Sequence, residues 1–132
     1  MKAYTDLEQS KKLAKILPIE SADMYYSDNE YPKQITKYII TYANVLYGSY
    51  DINYFDIYGY VPCWSLAALL DIIPKRIKDY NVLRTDISDN DFAIWYDEVG
   101  YGVNKDLPDI IMASAVDACY EMILKLHELN LL

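Results

Sequence analysis

His127 is the only histidine in this chain, and Cys63 and Cys119 are its only thiols. A general base needs a partner to orient it. On a helix, however, the neighbours of His127 are Ile123 and Leu124 behind it and Asn130 and Leu131 ahead, with no carboxylate among them. A lone histidine also excludes metal motifs built on a histidine pair. Cys63 follows Pro62 in the first turn of an expected helix, where the helix dipole lowers a thiol pKa. Its neighbours Pro62 and Trp64 lie in an apolar segment, which points instead to a buried, inert sulfur. Two distant cysteines make neither a disulfide framework nor a zinc ligand set.

The acidic segment Asp86 to Asp97 places Asp86, Ser88, Asn90 and Asp97 at positions one, three, five and twelve of a calcium-loop pattern. The glycine required at position six is Asp91, and the flanks read as strands, so a solvated turn is the better reading. Gly100-Tyr101-Gly102 lacks the third glycine of a dinucleotide fingerprint, which is Lys105 here. There is no phosphate-binding loop and no nucleophile elbow. No catalytic residue, metal ligand or cofactor is assigned, and an enzyme using Cys63 is the weakest of the functional readings.

The compositional oddity is the segment from Tyr25 to Tyr60, which holds Tyr25, Tyr26, Tyr31, Tyr38, Tyr42, Tyr47, Tyr50, Tyr54, Tyr58 and Tyr60. Tyrosines stack on bases in single-strand binders, but such sites also need a basic groove. Here Lys33 and Lys37 are outnumbered by Asp28, Glu30, Asp51 and Asp56. Tyrosine is also enriched at protein interfaces, where it supplies apolar area with a polar handle. Tyr50, Tyr54 and Tyr58 are therefore the expected interaction surface, set against the plainer reading of a long loop whose rings cover the core.

A net charge of -8 disfavours nucleic acid and anionic membranes as partners, since affinity for both comes largely from lysine and arginine. Acidity can itself be a function, as in inhibitors that imitate DNA. The segment Asp86–Asp109 carries Asp86, Asp89, Asp91, Asp97, Glu98, Asp106 and Asp109 against Lys105 alone. The N-terminus reads as no secretory signal, and no apolar run reaches the length of a membrane span, so the expectation is a cytoplasmic protein. At 132 residues the chain is expected to be one domain, with the tyrosine-rich excursion at 25–60.

The elements that must position these residues follow from periodicity. Ser114 to Leu129 confines Asp117, Glu121, Lys125 and Glu128 to one narrow stripe of a helix, with Ser114 as its cap. Thr5 to Leu17 reads as a helix opened by a Thr5/Glu8 capping box and closed by Pro18. Pro62 to Ile73 reads as a nearly all-apolar helix and the natural partner of the C-terminal one. Tyr80 to Ile87 and Phe92 to Val99 read as a hairpin around Ser88-Asp89-Asn90-Asp91, with Phe92, Ile94 and Tyr96 on one face. Ala22 to Tyr26 is read as a short strand, Ile35 to Tyr47 as a helix, Gly48 to Tyr60 as a loop, and Gly100 to Pro108 as a loop or third strand. Helices and adjacent strands without βαβ alternation define the α+β class: three main helices packed with a small antiparallel sheet containing the hairpin.

Three stretches, TDLEQSKKLAKILPIESADM (Thr5 to Met24), VPCWSLAALLDIIP (Val61 to Pro74) and VDACYEMILKLHEL (Val116 to Leu129), resemble a group of small proteins from anaerobic gut bacteria and their phages and mobile elements. The likeness implies an accessory protein and transfers no activity or site residue. The expectation is a non-enzymatic protein that binds an unknown protein partner.

Overall fold

The computed structural model describes residues 2–27, 31–35, 59–78, 80–99 and 107–132. The architecture is α+β, with two antiparallel sheets where one was expected. The chain gathers into two compact units, Tyr4–Ser65 and Leu66–Leu132, the latter joined by Met1–Ala3.

In the Tyr4–Ser65 unit, helix α1 (Leu7–Leu13) precedes a 3-10 turn (Ile19–Ser21) and strands β1 (Met24–Tyr26), β2 (Lys33–Gln34) and β3 (Val61–Cys63), in sheet order β2-β1-β3. The helix cap is one residue later than expected. Asp6, not Thr5, accepts the Gln9 N–H at 2.8 Å, while the Gln9 side chain accepts the Asp6 N–H at 3.1 Å. Thr5 is unavailable for capping because it is wholly buried and bonded to Trp64. Past Leu13 the backbone tightens into three-residue turns, with Lys15 and Ile16 N–H groups donating to Lys12 and Leu13, and Pro18 ends the run.

Pro62 does not open a helix. It pairs with Tyr25 in β3, a strand at the edge of the sheet, where a missing N–H is tolerated. Tyr26↔Val61 pairing and a 5.0 Å stack of Tyr25 on Tyr60 hold together the two ends of the tyrosine-rich segment. Gly59 sits in the left-handed region (φ +69°), which suits glycine in the turn that leads into β3. Of the expected helix Ile35–Tyr47 only Ile35 is described, its N–H on the Asp23 carbonyl at 3.1 Å, and most of the loop Gly48–Tyr60 lies outside the described residues.

In the second unit, helix α2 (Leu66–Ile72) starts four residues later than expected. Strands β4 (Arg76–Ile77), β5 (Asn81–Ile87), β6 (Phe92–Glu98) and β7 (Ile110–Met112) form a sheet in that order, and helix α3 (Ala115–Glu128) closes the chain. The hairpin β5–β6 has the expected turn, with Ser88 N–H bonded to the Asp91 carbonyl. Strand β7 was not anticipated. Phe92, Ile94 and Tyr96 point to one face and are buried, and α3 packs on β6, β7 and α2. Its buried stripe is Val116, Cys119, Met122, Ile123 and Leu126. Ser114 caps α3 through the Asp117 N–H. Asn130 (φ 57°) ends it in a Schellman turn, with Leu131 N–H on the Leu126 carbonyl at 2.9 Å.

Candidate functional site

Two constellations stand out, one in each unit. The first is a buried cluster of hydroxyls around Thr5. Its backbone N–H donates to the Trp64 carbonyl at 2.9 Å, and its Oγ1 accepts the Trp64 N–H at 3.2 Å. The same Oγ1 lies 2.7 Å from Ser10 Oγ and 3.5 Å from Cys63 Sγ. Tyr26 donates its phenol to the Thr5 carbonyl at 2.8 Å, and the Cys63 thiol reaches that carbonyl at 3.4 Å. At one side Trp64 Nε1 donates to Ser21 Oγ at 2.9 Å, and Asp23 accepts both the N–H and the hydroxyl of Ser65.

This cluster resembles a nucleophile with its helpers only in inventory. Burial raises the Cys63 pKa, against the hydrogen bonds from Thr5, Ser10 and Tyr26 that lower it. The thiol is on a strand, so the helix-dipole premise for a reactive Cys63 is removed, and no solvent reaches it. Burial likewise raises the Tyr26 phenol. Every hydroxyl, thiol and carboxyl in the cluster has a hydrogen-bond partner, which describes a polar clamp better than a reaction centre.

The second constellation is the outward face of the four-stranded sheet. The hairpin register sets Arg84 directly opposite Trp95 and Val82 opposite Asp97. Asp97 accepts from Trp95 Nε1 at 2.8 Å and from Arg84 Nε at 3.2 Å. Ile111, on β7 opposite Ala93, extends this face and is 68% exposed. A tryptophan and an arginine, oriented by a shared carboxylate and bordered by an exposed isoleucine, are the side-chain types that anchor protein interfaces. Of these residues the sequence singled out Asp97 alone, and for its charge; Arg84, Trp95 and Ile111 were not read as a site. The signal was present, since a four-residue turn after Ile87 pairs Arg84 with Trp95 once the register is counted back.

The remaining candidates among the described residues do not gather into one site. His127 is exposed on α3, in its last turn. Cys119 is fully buried, and burial pushes its thiol up to about 11, a little offset by Lys75. Asp86 and Asp97 stand on the outward face of the sheet and Glu98 on the other, while Asp89 and Asp91 sit in the hairpin turn. These carboxylates therefore share no single front, and Asp97 is already engaged by Arg84. Tyr50, Tyr54 and Tyr58, together with residues 100–106 and so the carboxylate of Asp106, lie outside the described residues. Of the described tyrosines in that segment, Tyr25 and Tyr26 are buried and Tyr31 is 72% exposed. Among the described residues no group of three or more histidine, cysteine or acidic side chains is placed to hold a metal, and no helix is long and apolar enough to cross a membrane.

The fold and this surface define an α+β protein with a solvent-facing antiparallel sheet. Compared with family models, curated proteins and solved structures, the chain gives no match.

Proposed function

We propose that this chain is a non-enzymatic accessory protein, of the kind carried by mobile elements, that acts by binding another protein. The observation that carries the reading is the outward sheet face, where Trp95 and Arg84 stand opposite each other across β5 and β6, both bonded to Asp97. Holding a tryptophan and an arginine in fixed geometry before a partner arrives reduces the entropy lost on association. A buried Cys63 with a raised pKa supports the non-enzymatic side of the reading.

The test is affinity capture from the native host, run in parallel with wild type, Arg84→Ala and Trp95→Ala. One stoichiometric protein should elute with wild type and be lost from both variants, each of which should retain a cooperative melt. Equal capture by all three proteins removes this face from the reading, and an empty eluate from wild type removes the reading itself.

A further inference from the structure

Among the described residues one edge of the four-stranded sheet is uncovered, and its geometry identifies which backbone groups are on offer. In an antiparallel ladder, hydrogen-bonded and non-bonded rungs alternate. Val99 N–H donates to the Tyr80 carbonyl at 2.7 Å, so Tyr80/Val99 is a bonded rung, and two-residue steps make Val82/Asp97, Arg84/Trp95 and Asp86/Ala93 bonded as well. Residues Phe92 and Ile94 therefore turn their N–H and C=O groups the other way, toward Met112 and Ile110. Ile111, opposite Ala93, is left in a non-bonded rung, with its own N–H and C=O directed away from the sheet. Among the described residues nothing pairs with them.

Among the described residues the other open edge is defended and this one is not. Past the short β4, strand β5 exposes Thr85 and Ile87 but sets Arg84 and Asp86 between and beside them. Charged side chains of this sort discourage a further strand. Strand β7 reads Ile110-Ile111-Met112, with no charge within it. Beside it runs an open groove of about 370 Å³ lined by Pro108, Asp109, Ile110, Ile111, Glu121 and Lys125. Lys125 shares this lining and is bonded to Glu128 at 3.2 Å, so Asp109 and Glu121 leave the groove net negative by one carboxylate.

We infer that β7 takes up an extended segment of a partner protein as a fifth strand, and that this segment alternates apolar and basic side chains. This rests on the protein-binding reading and deepens it. The backbone of Ile111 supplies the register, the groove takes one row of side chains, and Asp109 with Glu121 selects cations in that row. A second copy of this chain is the poorer occupant, because each copy brings a net charge of -8.

The probe is a capped seven-residue peptide of alternating lysine and valine, with the glutamate/valine peptide as control, titrated into the full chain. Amide shifts and hydrogen exchange are read by NMR. The lysine peptide should shift the β7 amides and slow exchange at Ile111, and the glutamate peptide should bind about tenfold more weakly or not at all. In Ile111→Pro the outward donor is lost without breaking a bond to β6, so the fold should survive and affinity should fall about tenfold. Glu121→Lys, on the exposed side of α3, should weaken the lysine peptide and rescue the glutamate one. Absence of lysine-peptide binding, binding unaffected by Ile111→Pro, or protection at Ile111 that depends on protein concentration alone each overturns the inference. A native partner captured by Ile111→Pro but not by Trp95→Ala would overturn strand addition while leaving the protein-binding reading intact.

Discussion

Thr5 and Leu126 are both wholly buried, yet each holds its surroundings by different means. Around Thr5 the Tyr4–Ser65 unit is joined by directional bonds, through Ser10, Tyr26, Cys63 and Trp64. Around Leu126 the second unit is joined by shape, with α3 laying Val116, Cys119, Met122 and Ile123 among its buried apolar neighbours. An apolar core tolerates changes of chemistry and punishes lost volume. A hydroxyl cluster tolerates small losses of volume and punishes an orphaned donor. The contrast gives each region a characteristic way to fail.

The largest effect belongs to Leu126→Ala, which should cost about 3–5 kcal/mol through the cavity it leaves. Leu126→Met should cost under about 1.5 kcal/mol. Both are measured by denaturant unfolding, and similar losses for the two would show that the site is looser than its burial indicates. In the other unit Thr5→Val keeps the shape and removes the hydroxyl, leaving the Trp64 N–H without that acceptor and the Ser10 hydroxyl with the Thr5 carbonyl at 3.5 Å. That should cost about 2–3 kcal/mol, with Thr5→Ser costing less because it retains the bonds and loses one methyl. If the serine variant proves the worse of the two, the clamp is packing and the contrast collapses.

Both regions contain a buried thiol, so alkaline pH tests them together. The folded-state pKa of Cys119 is raised to about 11 from 9.0, and that of Cys63 moves in the same direction. A raised pKa means that the folded state favours the neutral thiol. The associated stability is fully present below pH 9 and is lost as pH rises toward 11. Between pH 9 and 10 wild type should lose about 1 kcal/mol through Cys119 alone, and Cys119→Val should flatten that part of the profile. A profile equally steep in the variant would assign the loss to other groups, with the buried Tyr26 and Tyr96 phenols, both raised, as the next to examine.

The apolar region was far more legible in the sequence than the polar one. Helix α3 was visible because its polar residues are confined to one stripe, and the hairpin because alternation and turn chemistry agree. Those are local signals carried within about a dozen residues. Thr5 was misassigned for the opposite reason. Its partner Trp64 is 59 positions away, and without that contact a threonine followed by a glutamate at the third position looks like a cap. Pro62 was misread in the same way, since only the pairing with β1 distinguishes an edge strand from a first helical turn. The Trp95–Arg84 pair was a matter of counting register, and β7 escaped because three residues carry too little pattern to separate a strand from a loop.

The smallest expected effect on stability is the sharpest test of the functional contrast. Arg84 and Asp97 are about half exposed, so their 3.2 Å ion pair is screened by water, and Arg84→Ala should shift stability by no more than about 0.5 kcal/mol. A residue that contributes so little to the fold is poorly explained by folding alone, particularly one set opposite a tryptophan and bonded to the same carboxylate. At an interface that same guanidinium would be desolvated, where its truncation commonly costs 2 kcal/mol or more, or roughly thirtyfold in affinity. Melting and partner capture measured on one preparation of Arg84→Ala therefore separate the two roles. An unchanged melt with lost capture assigns the outward sheet face to binding, whereas a lowered melt with capture retained would make the Arg84–Asp97–Trp95 group a brace for the hairpin.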